Sequence, residues 1–172
     1  NLLDIRVLGG LALRKETTPV PGITDDLRAL IRDMFDTMYA AEGIGLAAPQ
    51  VGRSERVAVV DVDGAKYALI NPEIIDHDGS ARAEEGCLSI PDVYGEVTRP
   101  FRVKVRAMNE EGVTYEVEAA ELLGRCLQHE IDHLDGKLFI DYLSVLKRRS
   151  VMSQWGKTKA DYPGFIRKLV LE

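Results

Sequence analysis

At 172 residues, 45% of them hydrophobic, the chain has apolar material for one substantial core, and its formal charge of −6 argues against a DNA binder working through bulk electrostatics. No run of about 18 apolar residues and no charged-then-apolar leader occurs, so neither a membrane span nor secretion is expected. The two cysteines, Cys87 and Cys126, make no disulfide framework and fit free thiols in a reducing cytoplasm.

The first element is a helix over 24–41. Thr24 is its N-cap, Asp25 and Asp26 suit the positive N-terminal end, and Gly43 follows its C-terminus. Leu27, Leu30, Ile31, Met34, Phe35 and Met38 recur at helical spacing and make a core-facing stripe. Next comes GIGLAAPQVG (43–52), which superficially matches a dinucleotide fingerprint, but a helix precedes it and Pro49 opposes a helix behind it. One reading is a helix cap and turn using Gly43 and Gly45. The other is that these two glycines let the backbone approach a substrate, with Gln50 offering an amide donor.

RVAVVDV (56–62) and KYALI (66–70) flank Asp63-Gly64 as a hairpin. His77 falls in an expected surface turn, IIDHDGS. The EEGCLS stretch (84–89) has no helical period and reads as a loop in which Gly86 frees the backbone beside Cys87. RVKVRAM (102–108) and TYEVEA (114–119) alternate around Glu111-Gly112 as a second hairpin. A helix follows over 120–134, another over 142–155, and the chain after Gly156 is basic and irregular. This order predicts an α+β fold in a single domain spanning 1–172.

QHEIDHLDG (128–136) contains HExxH. With His129 at zero on a helical wheel, His133 lies about 40° round, Cys126 about 60° and Leu122 about 20°. Glu130 lies near 100° with Leu123, Leu127 and Leu134, while Glu121, Arg125, Gln128, Asp132 and Asp135 take the opposite arc. Both imidazoles and Glu130 thus point into the buried half, where an unpartnered carboxylate is costly. A metal on the two histidines, with a water held by Glu130, satisfies all three. For the third ligand, Phe139 stands where a metzincin needs His, and the only later Glu is Glu172. Asp141 and Asp161 have no supporting motif, which leaves a cysteine. Cys126 shares the histidine face but fits a small core residue. Cys87, arriving from a separate segment, closes a three-point site better. A His₂Cys set leaves a position open, as a catalytic metal requires.

GIGLAAPQ (43–50), EGCLS (85–89) and QHEIDHL (128–134) together resemble the three signature motifs of the peptide deformylases, in their order and roughly their spacing. The resemblance covers about residues 4–150, and 151–172 is a basic segment where members vary. It implies antiparallel sheets packed around a central metal-bearing helix, and removal of the formyl group from N-formylmethionine of newly made polypeptides. It implies Cys87, His129 and His133 as metal ligands, Glu130 as the catalytic carboxylate, and Gln50 with the Leu88 N–H as oxyanion donors. Fe(II) is the ion it implies, although Zn, Ni or Co suit the same donors. Gly43, Ile44, Gly45, Leu122 and Cys126 are expected at the substrate, with Ile44 and the Leu122/Cys126 face forming an apolar slot for the Met side chain. The competing readings are an HExxH metallopeptidase and a non-catalytic binding protein. The seven Lys/Arg between Lys147 and Lys168 make either a solvated face or a docking surface for the ribosome near its exit tunnel. The expected source is a bacterial-type cytoplasm, with organellar and viral origins left open.

Overall fold

The structure, a computed structural model, describes residues 1–169. Its centre is a helix read from the HExxH segment, α2 (Glu121–Leu134), lying between two sheets. A five-stranded antiparallel sheet covers one side. It runs in the order β2 (Gly45–Ala47), β3 (Val57–Val62), β4 (Ala65–Asp78), β7 (Arg102–Met108) and β8 (Thr114–Ala120). The other side is covered by a two-stranded hairpin, β5 (Ala81–Cys87) with β6 (Ile90–Arg99). The first helix, α1 (Asp25–Ala40), packs on the far face of the five-stranded sheet.

Strand β3 shows why VAVV is an unbroken apolar run. Val57 and Val59 face the α1 side, while Ala58, Val60 and Val62 face the α2 side, so both faces are buried. Its hairpin to β4 turns at Asp63 and Gly64, whose φ values of 50° and 88° are the left-handed pair of a tight turn, as the Asp-Gly signal predicts. The second predicted hairpin, β7–β8, is also present. The result is α+β with antiparallel sheets around the metal-motif helix, as expected.

Four local expectations are corrected. Helix α1 ends with Glu42, not Gly43, in the left-handed conformation (φ 59°). Gly43 N–H closes the cap by donating to the Met38 carbonyl at 2.9 Å. Strand β4 does not stop at Ile70, because a bulge at Asn71 (φ 52°) absorbs Asn71-Pro72 and the strand continues to Asp78. His77 therefore lies in a strand, opposite Val103, though it is exposed as expected. Residues 84–87 of the EEGCLS stretch are strand rather than loop and pair with β6, while Leu88 and Ser89 form the turn between the two. The inward positions of β6 are Pro91, Val93, Gly95, Val97 and Arg99, so Pro, Gly and Arg hide a period of two. Finally, the third helix, α3 (Val145–Thr158), starts after a 3-10 turn at Phe139–Tyr142 and runs through Gly156. Ser144 caps it, its hydroxyl accepting from Lys147 N–H at 3.2 Å. Beyond it, the short strand β9 (Ile166–Arg167) pairs with β1 (Ile5–Arg6). Residues 170–172 lie outside the described residues.

Candidate metal centre

Helix α2 places His129 and His133 one turn apart, with their Nε2 atoms 3.1 Å from each other. The tip of the β5–β6 hairpin brings Cys87, whose Sγ lies 3.4 Å from His133 Nε2. The three donor atoms lie within 4.8 Å of one another. His129 Nδ1 donates to Glu85 Oε1 at 3.0 Å, which leaves its Nε2 lone pair aimed at the cluster. Beside it, Glu130 is buried and its Oε1 has no partner among the described residues. Two converging imidazole nitrogens, a thiol and an orphaned carboxylate form a set that a divalent cation and its water would satisfy. Cys126 does not join it. Its Sγ turns to the Ile44 carbonyl at 3.6 Å, and burial pushes its thiol pKa well above the ordinary value.

Electrostatics separate these groups. Burial raises Glu130 to about 7, so this carboxyl exchanges a proton near neutrality. Burial and the neighbouring His129 hold His133 well below the usual imidazole range, which keeps it neutral. At His129 burial opposes the charged form, but hydrogen bonds that the ring makes to Cys87 and Glu85 outweigh it and raise the pKa. An ion must therefore displace a proton there, and loading weakens as pH falls. Glu85 behaves oppositely to Glu130. Burial alone would raise it, yet His129 and Arg99 hold it at about 2.

Glu85 anchors a buried network that the sequence reading missed. It accepts from Arg99 at 2.6 and 3.0 Å and from Arg125 at 2.6 Å. Arg99 also reaches Asp132 at 2.8 Å, and Tyr142 O–H donates to Asp132 at 2.7 Å. Arg125, Gln128 and Asp132 of the polar arc consequently face the hairpin side rather than water, while Glu121 stays exposed and Asp135 pairs with Arg56 at 2.8 Å. Gln128 is buried too, donating to the Pro100 carbonyl at 3.0 Å. Glu85 lies two residues before Cys87, but nothing in its one-letter context marks a carboxylate as buried.

A cleft of about 540 Å³ opens on the cluster. Gly43, Ile44, Gly45, Gln50, Leu88, Leu122 and Cys126 all line it with Cys87, His129 and Glu130, so the expected substrate residues converge. Ile44 and Leu122 are 41% and 51% exposed, which leaves apolar surface for a ligand. Gly45 is not a turn residue but part of β2. A Cβ there would collide with the Glu130 carboxylate and stand 2.9 Å from Cys126 Sγ, so glycine lets the strand approach the helix. Gln50 Oε1 accepts from Ala47 N–H at 2.9 Å, which turns its NH₂ toward Ser89 Oγ at 3.0 Å and Cys87 Sγ at 3.5 Å. Asp141 is engaged elsewhere, in a two-bond pair with Arg14 at 2.7 and 3.0 Å.

Comparison with known proteins agrees with this site. A family model described as polypeptide deformylase matches residues 2–149. The peptide deformylase of Alkalilimnicola ehrlichii is 53% identical over 154 residues, 87% of this chain and 86% of that protein. That of Hydrogenovibrio crunogenus is 52% identical over 162 residues, 92% and 96% of the two chains. Among solved structures, a peptide deformylase from Legionella pneumophila aligns with a TM-score of 0.90 at 45% identity, covering 93% of this chain and 96% of that one. One from Synechococcus elongatus, in complex with actinonin, aligns at 0.87 and 43% identity, covering 90% and 88%. With the matched span enclosing the hairpin tip, the glycine strand and both histidines, the chain belongs to the polypeptide deformylase family.

Proposed function

We propose that Cys87, His129 and His133 hold one divalent ion, and that the chain hydrolyses the formyl amide of N-formylmethionyl nascent peptides, releasing formate. The observation that carries this reading is Glu130, a buried carboxyl with an unpartnered oxygen beside a His₂Cys donor set. A bound ion supplies Lewis acidity and makes water a nucleophile at neutral pH. Glu130 takes the proton of the attacking water and delivers it to the departing amine, a task that suits a pKa of about 7. The Gln50 amide and the Leu88 N–H donate to the oxygen of the formyl group as it gains charge, each worth about 10²–10³ in turnover. The Met side chain enters the slot of Ile44, Leu122 and Cys126, with the chain drawn close at Gly43 and Gly45. The small formyl hydrogen fits where acetyl and larger groups do not.

Fe(II) is the ion proposed for the physiological state, and Zn, Ni or Co bind the same donors. A thiolate beside Fe(II) makes oxygen sensitivity the expected behaviour. The whole chain is proposed to act as one catalytic domain in the cytoplasm. Lys147, Arg149 and Lys157 are exposed on α3, and this face is proposed to meet the ribosome where nascent chains emerge. Its association should then weaken as salt rises, and salt-independent binding would count against it.

The deciding assay loads the purified chain anaerobically with Fe(II), Ni(II) or Co(II) and offers formyl-Met-Ala-Ser and Met-Ala-Ser. Formate from the first, with peptide bonds intact, is the expected result. Peptide-bond cleavage would instead indicate a metallopeptidase, and no reaction a binding protein. Glu130→Ala should keep its metal and lose about 10²–10⁴ in kcat. In the wild type kcat/KM should fall as pH drops below about 7, where Glu130 becomes protonated and can no longer accept a proton.

A further inference from the structure

The segment beyond the family's matched span returns to the metal centre. That span ends at residue 149, yet β9 pairs with β1 through Ile5–Arg167 and Arg6–Ile166. Trp155 stacks on Tyr162 with 5.9 Å between ring centroids, and its indole N–H donates to the Leu8 carbonyl at 3.2 Å. Leu8 N–H in turn donates to the Ser89 carbonyl at 2.9 Å. The C-terminal segment, the N-terminal strand and the β5–β6 tip are thus one hydrogen-bonded unit. At its inner edge lies Arg167, half-buried in the wall of the cleft, with Nη1 donating to the Leu88 carbonyl at 3.2 Å. The amide that shares that carbonyl is Ser89 N–H, and it donates to Cys87 Sγ at 3.4 Å.

We propose that Arg167 is a positioning residue for the metal centre, acting through the Leu88–Ser89 peptide unit on the Cys87 sulfur. A guanidinium on a peptide oxygen draws electron density to that oxygen, which makes the N–H of the same unit a stronger donor. That stronger N–H···S bond stabilises sulfur lone pairs and fixes their direction, and such partners tune a ligand's hold on a metal. The bond from Arg167 also fixes the tip, keeping Leu88 N–H where an oxyanion donor is needed. Arg125 is the other arginine lining the cleft, and it is spent on Glu85 and on the Val97 and Ala81 carbonyls. The inference rests on Cys87 being a metal ligand, as proposed above.

The test uses the full chain as wild type, R167K and R167A, each loaded anaerobically with Co(II). Three quantities are read: the sulfur-to-cobalt charge-transfer band, the Co(II) dissociation constant against a chromophoric chelator, and kcat and KM on formyl-Met-Ala-Ser. In R167A the band should move to longer wavelength, because the sulfur loses hydrogen-bonding support. Metal affinity should fall about tenfold, the low end for partners of metal ligands. The loss in turnover should appear in kcat, and R167K should recover most of the band position. A rise in KM alone, with band and affinity unmoved, would overturn the proposal and make Arg167 a direct substrate contact. Three unchanged quantities would overturn it as well. If R167A fails to fold, R167Q carries the test, since its amide keeps an uncharged donor for the carbonyl and should give a smaller shift in the same direction. Should wild type show no sulfur-to-cobalt band, Cys87 is not a ligand and the deeper reading falls first.

Discussion

Helix α2 is buried on two sides by opposite means. Toward the five-stranded sheet it presents Leu127, Ile131 and Leu134, packed among Val60, Leu69, Val105 and other aliphatic residues. Toward the β5–β6 hairpin it presents Arg125, Gln128 and Asp132, answered by Glu85, Arg99 and backbone carbonyls. The first side is held by area removed from water and tolerates exchange of shapes. The second is held by charges whose desolvation is offset only while every partner is present. The histidines sit on the seam, with Glu85 fixing His129 from the ionic side. A metal site needs imidazoles locked in orientation, and directional bonds do this where apolar packing does not.

The comparison sharpens most at Glu85. Glu85→Gln removes the charge that Arg99 and Arg125 share, and should cost about 3–5 kcal/mol at pH 7 by denaturant unfolding. The same pair of proteins should converge in acid. Glu85 is held at about 2 in the folded chain against an ordinary value of 4.5, so its stabilisation is full above about 4.5 and is lost as pH falls toward 2. A gap that stayed constant down to pH 2 would show that shape, not charge, accounts for the loss. On the apolar side, Leu127→Ala at a fully buried position should cost about 3 kcal/mol with no such convergence, because no titrating group is involved. Smallest is Tyr142→Phe, which deletes one hydrogen bond to Asp132 at the half-exposed rim and should cost about 1 kcal/mol. If it matched Glu85→Gln, the network would be organised from Tyr142 rather than from the carboxylate.

What was legible in the sequence follows the same division. Apolar period gave α1, α2 and both hairpins of the large sheet, because each buries one face or two against carbon. The HExxH register and the cysteine beside Gly86 brought three donors to one point, since ligand chemistry restricts residue types more tightly than packing does. The β5–β6 hairpin stayed hidden. Its inward face carries Pro91, Gly95 and Arg99 where an apolar alternation would be sought, and its burial depends on acids and arginines meeting across 14 to 40 residues of chain. Single-residue propensity contains no record of such pairings. Arg167 was invisible for the same reason: within a basic tail, one guanidinium in a cleft looks like its solvated neighbours.

X-ray absorption fine structure on the loaded, anaerobic chain tests the centre most directly. One sulfur near 2.3 Å and two imidazole nitrogens near 2.0–2.1 Å, about the distances of a His₂Cys zinc site, are predicted, with light-atom scattering from solvent completing the shell. Cys87→Ala should erase the sulfur, while Cys126→Ala leaves it. A sulfur that survives the first substitution and vanishes with the second would contradict the assignment.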